Sequence, residues 1–372
     1  MDMVNVEDCC EILDSMRVPI TASERKEGKY PYYGANGIQD YVDDYIFDDE
    51  LVLLAEDGGN FGSRERPIAY RISGKCWVNN HAHVLKPKKG LDVDYLCYSL
   101  MFYKVEGIVN GATRKKLTQA AMRKMQIPFR RMEEQIHIVN NLNYVLKVKE
   151  KRERKLKLLD ELVRGRFVEL FGDVSTETYK YETRRLGEVA NVGSSHRVFT
   201  TEFVDKGVPF YRGTEIGELA KGNKPTEPFY ISEEHYNRLA NDDTKPKVGD
   251  LLMPSICNKG QVWMVDTDKP FYYKDGRVLC ISPNREFFNT KYFEHFMRIK
   301  TLVEYPKLGS GSTFAEFKIF MLKGIDVLVP PIELQNQFAD FVKQVDKSKL
   351  IVQKELDETQ LLFDSLMQEY FG

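Results

Sequence analysis

Between residues 135 and 170, positions stepping alternately by three and four residues are apolar at seven of eleven places: Ile138, Leu142, Val145, Leu156, Leu159, Val163 and Leu170. Lys149 and Arg152 interrupt the series near its middle. Phe338, Phe341, Val345, Val352, Leu356, Phe363, Leu366 and Tyr370 repeat the spacing at the end of the chain. This is the period of a coiled-coil seam. Each stretch begins just after a proline, where a missing N–H costs a helix little, and the first closes on Gly172. About 40 residues at 1.5 Å each give a rod of roughly 60 Å. Two matched seams in one chain predict an antiparallel intramolecular pair. Leu142, Val145, Leu156, Leu159 and Val163 would then face Val345, Val352, Leu356, Phe363 and Leu366. The polar break would meet Lys347, Lys349 or Glu355.

The flanks of these helices are duplicated too. Ile127-Pro128-Phe129-Arg130-Arg131-Met132-Glu133-Glu134-Gln135-Ile136 parallels Val329-Pro330-Pro331-Ile332-Glu333-Leu334-Gln335-Asn336-Gln337-Phe338. The tails Phe167–Gly172 and Met367–Gly372 match, and Asn110-Gly111-Ala112-Thr113 echoes Ser310-Gly311-Ser312-Thr313. So long a period does not describe a solenoid. It describes a globular unit followed by a helix, twice: residues 1–127 then 128–172, and 173–328 then 329–372, with 173–182 as a polar connector.

Within the first globular unit, residues 28–37 read as a turn rich in Gly and Tyr, and strands are expected at 50–55 and 83–85. The second offers 208–213 in place of the tyrosine-rich turn, and strands at 249–253 and 278–281. Helices are expected over 94–105 and 290–302. Strand and helix follow one another irregularly, which places the fold in the α+β class.

Fifty-four basic and 56 acidic side chains nearly cancel over the 372 residues, yet their distribution is uneven. Residues 1–60 hold 4 Lys/Arg against 15 Asp/Glu, whereas residues 104–166 hold 17 against 7. The six cysteines form no Cys-x-x-Cys pair, which fits reduced thiols in a cytoplasmic protein. The N-terminus resembles no signal peptide, and no run of 18 apolar residues predicts a membrane span.

Catalytic patterns are missing. Gly58-Gly59-Asn60-Phe61-Gly62-Ser63 lacks the lysine of a phosphate-cradling loop and reads as a turn. His81 and His83 have no third ligand at a telling spacing, so no metal is expected. Glu-x-Lys occurs at 24–26, 153–155 and 316–318, too often to mark a nuclease. The only Pro-Pro, at 330–331, is followed by Ile332 rather than an aromatic residue, against a DNA amino-methyltransferase.

Binding chemistry is better represented. Arg114, Lys115 and Lys116 follow the Asn-Gly-Ala-Thr segment, and Arg123, Lys124, Arg130 and Arg131 lead into the helix, where such charges would neutralise phosphates. Amide and guanidinium groups suit base edges in the major groove. The candidates in the first unit are Tyr32, Tyr33, Asn36, Asn60, Arg64, Asn79, Asn80, His81, Thr113, Arg114, Lys115 and Lys116. Those in the second are Ser195, His196, Arg197, Arg212, Lys259, Gln261, Ser312 and Thr313. For any one of them taken alone, a solvated surface is the better reading.

The duplicated Pro…Gln…helix…Phe-Gly unit, the Lys29–Ile38 and Val208–Gly213 openings and Arg185-Leu186-Gly187-Glu188-Val189-Ala190 together resemble the specificity subunit of type I restriction–modification enzymes. The resemblance spans essentially the whole chain. It is loosest at Val6–Ile12. It implies two target-recognition domains, each reading half of a split DNA sequence, and a helix pair that fixes the gap. It further implies two methyltransferase subunits docked on the helices and two motor–nuclease subunits beyond them. S-adenosylmethionine, ATP and magnesium would belong to those partners, and this chain would carry no cofactor and catalyse nothing. The competing readings are a coiled-coil protein scaffold without DNA specificity, and a relative of a self-contained methyltransferase–nuclease.

Overall fold

Leu51 to Ala55 are apolar without alternation, and the structure, a computed structural model, accounts for this: the strand Phe47–Ala55 is covered on both faces. Val52 and Leu54 pack with Val6, Leu85 and Leu96, while Leu51 and Leu53 pack with Ile72, Val78 and Val84. Each such side chain contributes about 1.5–3 kcal/mol of burial. The structure describes residues 2–63, 65–111, 115–242, 244–308 and 315–372. Its contacts divide the chain into two units, Met1–Arg154 with Gln353–Gly372, and Lys155–Val352. This division does not coincide with the four consecutive segments expected from sequence. Each long helix is divided between the units because each half packs into a different core.

The first unit contains a six-stranded sheet in the order Cys10–Ile12, Ala82–Pro87, Phe47–Ala55, Ala69–Val78, Glu27–Gly34, Gly37–Val42. All neighbours are antiparallel except Glu27–Gly34 and Ala69–Val78. The second unit repeats the core of that order with Ala190–Gly193, Val278–Pro283, Leu251–Pro254 and Trp263–Met264. It adds a second four-stranded sheet of Phe203–Val204, Phe229–Ile231, Val208–Tyr211 and Tyr272–Tyr273. At the chain start, where the sequence match is loosest, the fold still repeats. The helices Val6–Cys9 and Leu186–Val189 occupy equivalent places, Val6 N–H donating to Met125 O (2.9 Å) and Leu186 N–H to Ile325 O (2.8 Å).

Several local expectations are corrected. Residues 28–37 form a hairpin, with Ala35 and Asn36 as its two-residue loop between Gly34 and Gly37, which pair. The helix expected to reach Val105 is Val93–Met101, because the Met101 carbonyl accepts from Ile68 N–H (2.9 Å) instead of continuing the ladder. Residues 208–213, expected as a turn, instead form the strand Val208–Tyr211, and Arg212 becomes the N-cap of the helix Gly213–Leu219. The 249–253 strand starts at Leu251, after Gly249 at φ +85°. The 173–182 connector is no loose linker. Gly172–Asp173 pairs with Thr178–Tyr179, Val174 is buried, and Glu177 bonds Lys300 (2.9 Å). Gly172 itself is required there, at φ +94°, since a Cβ would lie 2.1 Å from Thr178 O.

The long helices run Met132–Phe171 and Ile332–Phe371. In the first unit Ile138, Leu142 and Val145 share a core with Phe363, while Lys149 donates to Gln360 (2.7 Å) and Arg152 to the Glu355 carbonyl (2.7 Å) and Thr359. In the second unit Val163 and Phe167 share a core with Phe338, Val342 and Val345. Position numbers fall on one helix as they rise on the other, so both segments pair antiparallel. Leu142, Val145, Val163, Val345, Val352 and Phe363 are buried, and Leu156, Leu159, Leu356 and Leu366 half-buried. Of the residues expected at the polar break, Glu355 is there. Lys349 instead reaches Asp160 (2.5 Å), because that register places it further along the rod.

The head of each helix is locked by a buried glutamine. Gln135 accepts from Asp92 N–H (2.8 Å) and donates to the carbonyls of Gly90 (2.9 Å) and Arg130 (2.8 Å). Gln335 accepts from Asn289 N–H (2.9 Å) and donates to Phe287 O and Pro330 O, both at 2.8 Å. Asp92 and Asn289 in turn cap the helices Val93–Met101 and Thr290–Glu304. Gln135→Leu keeps the volume and strands three backbone groups, each costing about 1–3 kcal/mol when buried unpaired. We expect the first unit to lose roughly 3–5 kcal/mol in urea unfolding. Gln335→Leu should do the same to the second unit, as resolved by hydrogen exchange. A loss no larger than that of the exposed Gln344→Leu would show that the lock is idle.

Candidate nucleic-acid interface

At the end of strand Phe47–Ala55 in the first unit, several loops converge on one backbone joint. Glu56 N–H donates to His81 O (2.8 Å), and Glu56 O accepts from Leu117 N–H (2.7 Å). The loop tips are then stitched together. Asn36 donates to Gly58 O (2.9 Å), Asn60 donates to Asn36 (3.1 Å), and His81 Nδ1 meets Asp57 (2.7 Å). Lys116 reaches Glu56 at 3.1 Å. Thus Asn36, Asn60, His81 and Lys116, scattered over 80 positions, occupy one surface.

Other candidates fall elsewhere. Tyr32 is 1% exposed, its hydroxyl donating to Ile20 O (3.3 Å), so it belongs to the core rather than to a binding face. Asn79 is 3% exposed and its side chain is spent on Gln39 and the His81 N–H. Tyr33 is half-buried against Tyr70. Asn80 and Lys115 are exposed, and no side-chain bond to another described residue occupies either. Arg64, Thr113, Arg114, Ser312 and Thr313 lie outside the described residues.

Beneath this surface lies an ionic cluster that sequence reasoning missed. Arg17 donates to Glu56 (2.7 Å) and Ala82 O (2.7 Å) through Nη1 and to Asp14 O (3.0 Å) through Nε. Asp14 accepts from Val84 N–H (2.9 Å) and Gln119 (2.9 Å) and meets His83 Nδ1 at 2.6 Å. The other ring nitrogen of His83 faces Leu117 O (2.9 Å). Burial alone would raise the Asp14 carboxyl, but His83, Gln119 and the Val84 N–H outweigh it and hold the group below its ordinary range. Asp14, Glu56 and His83 have the spacing of metal ligands, yet the Arg17 guanidinium already takes the cation's place between the two carboxylates. His81 and His83 do not act together, because the strand begins at Ala82 and only His83 is buried in it. No motif flags Arg17, whose partners lie 39 and 65 positions away.

The second unit carries the same joint. Ser255 N–H donates to Arg277 O (2.9 Å), and Ser255 O accepts from Phe317 N–H (2.8 Å). Ser195 donates to Tyr273 O (2.5 Å), His196 N–H to the Tyr272 hydroxyl (2.9 Å), and His196 Nε2 meets Asp242 (2.7 Å). The Thr244 hydroxyl and His196 lower the Asp242 carboxyl to about 2. Arg197 is exposed, 3.7 Å from Asp275. Ser195, His196 and Arg197 therefore gather at one place. Arg212 is instead committed to Glu215, and Lys259 and Gln261 sit together in the loop before Trp263–Met264, the Lys259 N–H donating to Gln261 (2.9 Å).

The family model described as "Type I restriction modification DNA specificity domain" matches residues 1–159 and again 179–360. The chain belongs to that family. A Haemophilus influenzae chain provisionally named a type I restriction enzyme specificity subunit is 28% identical over 346 residues, covering 92% of this chain and 86% of the relative. The MjaVIII specificity subunit of Methanocaldococcus jannaschii is 22% identical, covering 96% and 88%. The crystal structure of a type I S subunit from M. genitalium shares the fold at TM-score 0.57 and 15% identity, covering 100% of this chain and 96% of that one. As a specificity subunit the chain recognises DNA, assembles with the other subunits of its system, and is not itself an enzyme.

All six cysteines are free and buried, and burial pushes the Cys76, Cys97 and Cys280 thiols up to about 12. No helix among the described residues is long and apolar enough to cross a membrane. Because the Asp14 carboxyl is depressed on folding, its contribution is complete above the unfolded value and is lost as pH falls through the folded one. Asp14→Ala should therefore cost the first unit about 3–5 kcal/mol at neutral pH, the range for breaking a buried pair. The deficit should shrink in acid, below the ordinary carboxylate range. Urea titrations at the two pH values check this, and a pH-independent deficit would contradict it.

Proposed function

We propose that this specificity subunit reads a two-part DNA target, one part with each unit, and that its long helices set the gap between the parts. The reading rests above all on the duplicated joint. One backbone frame occurs twice and carries different polar side chains, Asn36, Asn60 and His81 in one unit and Ser195, His196 and Arg197 in the other. Phosphate contacts fix register while base contacts fix sequence, so two differently dressed frames suit two different half-sites. Lys115, Lys116, Asn79 and Asn80 remain the segments of the first unit nearest this task, with Asn79 acting by holding Gln39 and His81.

Exposed apolar side chains on the helices, Tyr144 (69%), Leu350 (73%) and Leu361 (68%), support the docking of two methyltransferase subunits there. Two motor–nuclease subunits would complete a restricting complex. S-adenosylmethionine, ATP and magnesium sit on those partners, in the cytoplasm. Methylome sequencing of the host with and without this chain tests the reading directly. A two-part adenine-methylated motif should vanish with the chain. Exchange of residues 1–127 for those of a relative should alter one part only. Loss of no motif, or alteration of both parts together, would favour a protein scaffold.

The gap has its own test. Four residues inserted after Lys149 add about 6 Å and roughly 40° of helix, or nearly two base pairs at about 3.4 Å each. We expect the gap to change by one or two base pairs or methylation to cease, with both parts of the motif retained. An insertion in the exposed 266–270 loop should leave the gap alone. A normal gap at full activity after the helix insertion would remove the helices from this role.

A further inference from the structure

The joint is built from the same backbone bonds in both units, but different side chains pin it. In the first unit the pin is Arg17, with a side chain only 12% exposed. Its one guanidinium ties the strand end, at Glu56, to the loop that precedes the next strand, at Ala82 O (2.7 Å) and Asn80 O (3.5 Å). In the second unit the pin is a carboxylate. Glu316 accepts from Arg277 (2.7 Å), which belongs to the loop before the next strand, from Ser255 (3.4 Å) at the strand end, and from Lys318. Lys318 and Arg277 hold the Glu316 carboxyl below its ordinary range, with burial opposing them. Glu316 and Lys318 are the third of the Glu-x-Lys patterns that carried no meaning in the sequence.

Each pin therefore joins the same two pieces of chain. In the first unit those pieces carry Asn60, Asn80 and His81; in the second, the segment leading to Arg277 holds Ser195 through Tyr273 O (2.5 Å), the His196 N–H through the Tyr272 hydroxyl (2.9 Å) and Arg197 through Asp275 (3.7 Å). Arg17 lies under the tips: its nitrogens are spent on carboxylate and carbonyl oxygens. Removing it leaves the segment 79–81 tied to Glu56 only through the main-chain bond to His81 O, with no residue of the cores on either side of the sheet removed.

We infer that Arg17 and Glu316 are positioning residues of target recognition, each holding the reading loops of its own unit in register. The inference rests on the two-part reading above. A charge-assisted fork is suited to this task because it fixes direction as well as distance. A neutral or single-point substitute leaves the loops attached through backbone bonds but free to shift. Small misplacement then weakens discrimination before it weakens folding.

The test compares Arg17→Met and Glu316→Gln in the full chain, expressed in the host so that its partner subunits are present, with the methylome as readout. Discrimination against a single mismatched base pair is ordinarily about tenfold to a hundredfold. Arg17→Met should relax it by roughly tenfold in the motif part that residues 1–127 govern and leave the other part strict. Glu316→Gln should do the converse. Arg17→Lys keeps the charge without the fork and should give an intermediate relaxation confined to the same part, which also covers the case in which Arg17→Met fails to fold. Equal relaxation of both parts, or strict recognition of both by folded variants, overturns the inference. A wild-type motif without two parts would instead overturn the two-part reading.

Discussion

Phe371 packs on Tyr95 (5.2 Å between centroids) and Phe171 on Tyr292 (4.8 Å), so each unit is closed by the tail of a helix whose head is rooted in the other unit's repeat. Everything else in the chain depends on this crossed closure. A unit made of residues 1–154 alone would leave Tyr95, Leu142 and Val145 facing water where Phe363 and Phe371 now lie. The arrangement works only if the helix heads are held in fixed directions, which is what Gln135 and Gln335 do. Each satisfies three main-chain groups that no helix or sheet ladder reaches. A leucine of equal size would fill the space and orient nothing.

The duplication is conserved in backbone and relaxed in side chains, and that division has a physical basis. Main-chain bonds at the joint use atoms every residue possesses, so Glu56 and Ser255, His81 and Arg277, Leu117 and Phe317 serve equally well. Substitution at the loop tips therefore leaves the frame unchanged. Side chains tie the frame in both units, with opposite charges: a guanidinium on Glu56 in one, a carboxylate on Arg277 in the other. A buried ion pair need not stabilise a fold relative to apolar packing. Its value here is directional.

The seam and the repeat were legible because they are periodic. Ile138, Leu142, Val145, Val163, Val345 and Phe363 sit where a three–four ladder puts them. The strand at 50–55 was legible as an apolar run, though not its cover on both faces, which comes from segments up to 90 positions apart. The site was far less legible. Tyr32 and Asn79 look like DNA contacts by type, but strand alternation turns Tyr32 inward, and the Asn79 amide is spent on Gln39 of the strand Gly37–Val42 and on the His81 N–H. Arg17 looked like one charge among many, since its partners are brought to it only by the fold. Glu316 was visible as a pattern and unreadable as a role.

A chain with more carboxylates than basic groups is by charge alone poorly suited to a polyanion, and the geometry resolves the conflict. Asp14, Glu56, Asp57 and Glu316 do not face outward in competition with phosphate; they face Arg17, Lys116, His81, His83 and Arg277. Their charge is used to orient cations and imidazoles, which is why so acidic an N-terminal segment can underlie an interface. Among the described residues, Asn80 and Lys115 in the first unit are exposed with no side-chain bond to another described residue, and Arg197 in the second is exposed, 3.7 Å from Asp275. Phosphate attraction supplies affinity without sequence information. The oriented amides, imidazole and hydroxyl of Asn36, Asn60, His81 and Ser195 are groups of the other kind, suited to telling one base edge from another.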